Sequence, residues 1–141
     1  MRLEPYKYWS KEQMESIIVE NTSKMSIDPK LKALIIDLMI SVIYSEDWDV
    51  SDDFNGCTFV QDTLHPSIAC LFHDYVNLTG RGSARSDKLF YELKRIEGLG
   101  KFRAKFRMYV VRFAYIFFFY WKITRKLDTP EMKRLFDYYK K

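Results

Sequence analysis

The segment that decides the fold runs from Pro66 to Phe90 and reads PSIACLFHDYVNLTGRGSARSDKLF. Apolar residues recur every three or four positions before its two glycines and again after them, as expected for two helices. Gly80 and Gly82 interrupt the pattern, and Ser83 or Ser86 can cap the second helix. The segment therefore predicts a hairpin of two antiparallel helices.

Three polar residues of this hairpin form a candidate site. His73 and Asp87 each lie seven residues from Gly80, so they come level with one another across the predicted helix pair. A carboxylate that accepts a hydrogen bond from one imidazole nitrogen leaves the other nitrogen available as a base, which makes these two the candidate catalytic residues. Asp74 points about 100° around the helix from His73 and is a candidate cation ligand. A purely structural pair that fixes helix register is the competing interpretation.

Residues spread from 54 to 122 follow an order that is typical of one family. They are Gly56 to Phe59, Asp62, Pro66, His73-Asp74-Tyr75, Arg85, Asp87 to Phe90, and Met108 to Phe113. This order resembles that of a small phage and prophage family, domain of unknown function 1353. The resemblance covers about half of the chain. It implies a phage-type protein.

That family is in turn similar to the helix pair of phospholipase A2. In those enzymes a Cys-x-x-His-Asp segment supplies the base and a calcium ligand, and an Asp on the antiparallel helix orients the histidine. Cys70, His73, Asp74 and Asp87 match the arrangement position by position. The likeness implies calcium as the cofactor, if the chain has one, with Asp74 as a ligand. Asp62, on the segment before the hairpin, is the second candidate metal ligand.

Two departures from the phospholipase pattern favour a fold likeness over a shared reaction. Asn77 stands four residues after the histidine, where those enzymes carry a tyrosine. The segment 55–58 holds one glycine, whereas their calcium loop is rich in glycine.

Length and composition indicate one domain, 1–141, in which 1–53 is an N-terminal helical extension. The first nine residues lack the apolar region of a secretory signal, so we expect synthesis in the cytoplasm. The phage-family resemblance implies that this is the cytoplasm of a host cell and that the protein is incorporated into a virion. The two cysteines, Cys57 and Cys70, form no zinc pattern with the two histidines. We expect them to be free thiols, with a bridge between them as the open alternative.

Charge is divided unevenly along the chain. Residues 1–80 carry 13 acidic and 6 basic side chains, whereas residues 81–141 carry 6 acidic and 17 basic ones. Such a split is typical of proteins that bind a polyanion or a membrane, or that assemble head to tail, and it also occurs as an ordinary dipolar surface. We expect self-association or other virion proteins as partners.

The segment 101–126 begins with basic residues among phenylalanines and continues into nine apolar or aromatic residues, 113–121. Nine are too few to span a bilayer, but a basic aromatic helix can make a membrane-surface contact through 101–123. We favour a helix buried in the core or shared between subunits, because helical spacing predicts burial of its rings. Buried rings leave no face for stacking bases, so nucleic acid is not an expected partner.

These patterns predict a compact all-α domain of five or six helices with the hairpin at its centre. Residues Ser10 to Gln13 predict a capping box that opens the first helix, and Asp128 to Glu131 predict the start of the last helix, with Pro130 in its first turn. The acidic connector, residues 45–55, predicts a hydrated loop, and residues 54–64 form at most a short strand or extended stretch. The first functional class is a bacteriophage structural or assembly protein, a tail, collar or connector component on a phospholipase A2-like helical fold. The alternative is a calcium-dependent lipid or ester hydrolase, which would use the His–Asp dyad when a phage enters or lyses its host.

Overall fold

The computed structural model describes residues 9–54, 67–81, 83–114 and 128–140, and every regular element among them is a helix. In chain order the helices are α1 Lys11–Ser23, α2 Pro29–Ile43, α3 Val50–Asp53, α4 Ile68–Leu78, α5 Ala84–Ile96, α6 Lys101–Ala114 and α7 Pro130–Tyr139. Six of them have ten or more residues, and α3 is a single turn. The prediction of an all-α domain is confirmed.

Helices α2 and α5 organise the packing. Helix α2 packs against α1, α4 and α7, and α5 packs against α4, α6 and α7. The broad apolar face of α2 explains its position, since Ile35, Leu38 and Met39 are all fully buried. At the end of α2, the Tyr44 hydroxyl donates a hydrogen bond of 2.7 Å to Glu15 of α1. That bond raises the pKa of Tyr44 to about 12.

The hairpin of α4 and α5 turns at a glycine, as the sequence predicts. Gly80 has a φ of 79°, a left-handed conformation that residues with a side chain rarely adopt. The next residue, Arg81, donates its N–H to the carbonyl of Val76 at 2.7 Å, which satisfies the end of α4. Ser83 and Ser86 then form a capping box at the start of α5.

The other end of the hairpin is closed by a buried network of charged and polar side chains. Glu97, which caps α5, accepts hydrogen bonds from the Ser67 hydroxyl at 2.7 Å and from the Ile68 N–H at 2.6 Å. The Lys94 ammonium lies 3.7 Å from Glu97 and donates to Ser67 at 3.3 Å. Because Ser67 and Ile68 begin α4 while Lys94 and Glu97 end α5, these contacts make the two helices antiparallel.

The acidic connector after α2 is packed, although its composition predicted a hydrated loop. Trp48, Val50 and Phe54 are buried in the same core as α2 and α4. The Trp48 indole N–H donates to the Val42 carbonyl at 2.7 Å. The prediction failed because three apolar residues among the acidic ones bury enough surface to fix the segment. The predicted strand or extended stretch lies outside the described residues from position 55 onward.

Helix α7 begins as predicted, with Thr129 as its N-cap and Pro130 in its first turn. An ion pair of 2.9 Å between Arg85 and Asp128 joins its start to α5. The Tyr138 hydroxyl donates to Asp28 at the start of α2, at 3.2 Å. The C-terminal helix therefore bridges the two helices that organise the packing.

The prediction that helical spacing buries the rings of α6 is wrong for Phe102 and Phe106. Phe102 is 88% exposed and Phe106 is 68% exposed. Among residues 101–110 of α6, the buried ones are instead the smaller Ala104 and the flexible Met108. Residues 115–123 of the predicted aromatic helix lie outside the described residues.

We expect Glu97→Ala to lower the free energy of unfolding by about 3–5 kcal/mol. The change removes the carboxylate beside the buried Lys94 ammonium, and it also removes the acceptor of the hydrogen bonds from the start of α4. Glu20→Ala is the matched control. Its partner is Lys24, and since both side chains are more than half exposed, we expect a loss of about 0–1 kcal/mol. Urea unfolding monitored by circular dichroism measures both; equal losses would contradict a structural role for the network.

Candidate functional site

The candidate site is centred on His73, in the middle of α4. One ring nitrogen, Nε2, lies 2.7 Å from the side-chain nitrogen of Asn77, one helical turn along. The other, Nδ1, lies 3.8 Å from a carboxylate oxygen of Asp74. Phe90 of α5 packs against the imidazole, with ring centroids 5.4 Å apart. The His73 and Asp74 side chains are 13% and 14% exposed, so both are only partly buried, whereas most of the other side chains of α4 are buried.

The contact between His73 and Asn77 is compatible with two placements of the hydrogen atoms. As oriented, the Asn77 amide donates to Nε2, and the ring proton is on Nδ1, facing Asp74. With the amide turned over, its oxygen accepts from Nε2–H, and Nδ1 carries a free lone pair. Either arrangement holds the ring in one orientation.

The structure brings two of the four predicted site residues together. His73 and Asp74 are within ion-pair distance. Asp87 is buried in the first turn of α5, where the helix dipole favours a carboxylate, and it lies one turn before Phe90, which contacts the imidazole. The predicted hydrogen bond between His73 and Asp87 stays a prediction. Asp62 lies outside the described residues.

Asn77 is a residue of the candidate site that sequence reasoning missed. Its identity counted as a departure from the phospholipase pattern, yet its amide makes the shortest polar contact described for the imidazole. The signal was present in the sequence, because residues four apart lie on the same face of a helix.

The buried pair Lys94 and Glu97 was also missed. Its members are separated from Ser67 by 27 and 30 residues, so no local pattern announces the contact. It contributes to the site indirectly, because it fixes the start of the helix that carries His73.

A calcium site is not assembled by the residues that the structure describes. Calcium takes six to eight oxygen ligands, commonly including several carboxylates. Among the described residues there is no group of three or more His, Cys, Asp or Glu side chains that could hold a metal ion. Of the two predicted ligands, Asp74 is the one that lies among the described residues. No catalytic step is therefore derived through a metal ion.

Cys70 is bonded in a disulfide, which corrects the expectation of a free thiol. Cys70 lies one turn before His73, near the start of α4. The chain contains one further cysteine, Cys57, which lies outside the described residues. The expectation was wrong because it rested on the absence of an export signal and not on the distance between thiols.

We predict that the protein, unfolded without reductant and treated with iodoacetamide, gains no alkyl groups by mass spectrometry, because the disulfide leaves no thiol to react. The same treatment after reduction should add two groups, one per cysteine. Labelling of the unreduced protein would show that the disulfide is not formed.

Comparison with protein-family models, with curated proteins and with solved structures gives no significant match to this chain. None of the helices described is both long enough and apolar enough to cross a bilayer.

Proposed function

We propose that this chain is a phage-type protein that hydrolyses an ester bond of bacterial lipid, with His73 as the general base. The observation that carries the proposal is the cluster of His73, Asn77 and Asp74 on α4, in which the His73 and Asp74 side chains are partly exposed. Asn77, which argued against activity when the sequence was considered alone, supports it in the structure because it orients the imidazole. The resemblance to the phospholipase A2 helix pair supports the choice of a lipid ester.

The proposed reaction uses one water molecule and returns its proton. Asn77 accepts a hydrogen bond from Nε2–H, which leaves the lone pair of Nδ1 free to take a proton from water. The water oxygen attacks the ester carbonyl, and the carbonyl π electrons move to its oxygen. Collapse of this intermediate breaks the bond to the alcohol oxygen, which receives the proton from the imidazolium. Asp74 stabilises the positively charged ring between these two steps.

We expect His73→Gln to reduce the release of fatty acid from bacterial phospholipid vesicles by about 100-fold or more, because the general base is lost. Asn77→Leu should also lower the rate, since the ring loses its polar contact at Nε2. The matched control is Asp137→Asn on the exposed side of α7, which should leave the rate unchanged.

Calcium dependence is measured in the same assay by adding a chelator and by calorimetric titration of the wild-type protein. The proposal is that Asp74 contributes to binding of the ion, so Asp74→Asn should raise the calcium concentration required. A wild-type protein that releases no fatty acid, with or without calcium, would overturn the hydrolase proposal. A purely structural site would instead appear as lower melting temperatures for the His73 and Asn77 variants, with no activity to lose.

A structural or assembly role in a phage particle is the second candidate. The unequal distribution of charge along the chain and the exposed rings of α6 favour it, because both suit contacts between protein subunits. In that case the basic half of one copy, residues 81–141, would contact the acidic half of another copy, residues 1–80, or an acidic surface of a second virion protein.

We expect an assembly protein to form dimers or larger species at micromolar concentration and low salt, and to dissociate as salt rises, because salt screens the attraction between faces of opposite charge. Sedimentation velocity at low and high salt measures this. A monomer under all conditions would contradict self-assembly.

A further inference from the structure

Helix α6 presents three aromatic side chains to solvent. Phe102 is 88% exposed, Phe106 is 68% exposed and Tyr109 is 45% exposed. At about 100° per residue, these three positions fall within an arc of roughly 60° on the helix. Ala104 and Met108, which are buried, lie on the opposite side. The aromatic stripe therefore points away from the core along two turns of the helix.

Basic residues flank the aromatic stripe on both sides. Lys101 and Lys105 lie along one edge, and Arg103 and Arg107 lie beyond the other. Three of the four are exposed, and Arg107 is partly buried. The sequence holds no acidic residue between Glu97 and Asp128, so nothing on α6 itself offsets this charge.

An anionic bilayer surface matches both properties of this face. Aromatic rings can enter the boundary between headgroups and acyl chains, while long basic side chains extend to the phosphates beside them. A helix that is basic along its edges and aromatic along its centre is the usual design of a segment that lies in the membrane interface.

A second copy of the chain fits the same face less well. Full burial of three aromatic side chains covers roughly 500 Å². A stable protein interface buries about 800 Å² on each partner. The stripe alone is too small for that, whereas a lipid surface sets no minimum area and gains further from each added cation.

We propose that the α6 face, formed by Phe102, Phe106 and Tyr109 with Lys101, Arg103, Lys105 and Arg107, docks the protein on an anionic lipid bilayer. The proposal deepens the hydrolase function, because it would bring the protein to its lipid, but binding can be measured without any hydrolysis. The two can therefore fail separately.

The experiment is co-sedimentation with vesicles at low salt. The wild-type protein should bind vesicles rich in phosphatidylglycerol, bind pure phosphatidylcholine at least roughly tenfold more weakly, and dissociate as salt rises. Phe102→Ser with Phe106→Ser should weaken binding to the anionic vesicles by about tenfold or more. Lys101→Gln with Lys105→Gln should do the same through loss of charge.

Matched controls separate the face from general effects. Lys133→Gln with Arg134→Gln removes the same charge from exposed positions of α7. This pair should lower the affinity for anionic vesicles only slightly. Leu78→Ser removes an apolar side chain, half exposed, from α4 and should leave binding unchanged. Thermal melts of all variants should match the wild type, since each altered side chain is exposed.

Several results would overturn the proposal. The first is a wild-type protein that does not sediment with anionic vesicles, and the second is face variants that bind as tightly as the controls do. A third is a wild-type protein that forms a dimer without lipid and becomes monomeric when Phe102→Ser and Phe106→Ser are introduced. That result would make the face a protein interface. Binding to a single-stranded oligonucleotide that these variants lose, while vesicle binding persists, would assign the face to nucleic acid.

Discussion

The rest of the hairpin depends on the contacts that the Glu97 carboxylate makes between the end of α5 and the start of α4. It closes α5, accepts hydrogen bonds from the first residues of α4 and lies beside the buried ammonium of Lys94. A carboxylate at a helix N-terminus is favoured by the unpaired N–H groups there, and its charge also compensates that of the lysine. Ser67 completes the network, since its hydroxyl donates to Glu97 and accepts from Lys94 and from the Cys70 N–H.

Two constraints, one at each end, set the register of the hairpin. Gly80 fixes the turn and Glu97 fixes the open end, so the helices cannot slide without breaking one of them. His73 lies between the two constraints, where Phe90 of α5 supports its ring. The position of the imidazole therefore follows from contacts that lie well away from it. A polar network without unpaired members is suited to this task because any alternative register leaves a buried charge uncompensated.

The fold was predictable where local sequence determines it. The capping box at Ser10, the turn at Gly80 and the start of α7 at Thr129 all follow from residues within four positions of each other. Contacts between distant segments were not predictable in this way. Burial of Trp48 in the acidic connector and the pairing of Lys94 with Glu97 depend on which surfaces meet after folding.

For the candidate site, the sequence predicted the helix that carries His73, but it did not predict the contact between His73 and Asn77. The phospholipase pattern expects a tyrosine at that position, and a comparison of residue names does not show that the Asn77 amide lies 2.7 Å from the imidazole. The exposure of Phe102 and Phe106 was missed for a related reason. Helical periodicity identifies the face that carries the rings, but whether another element covers that face is decided by the tertiary packing.

Nitrogen NMR of the His73 imidazole tests most directly the claim that the hairpin holds the ring in one orientation. The chain has two histidines, so the signals of His73 are assigned by comparison with a His65→Gln variant. The account predicts two well-separated nitrogen shifts for the neutral ring, as for a single tautomer, and their convergence when Asn77 is replaced by Leu. Two nearly equal, averaged shifts in the wild-type protein would mean that the imidazole exchanges freely between tautomers, and they would contradict the account.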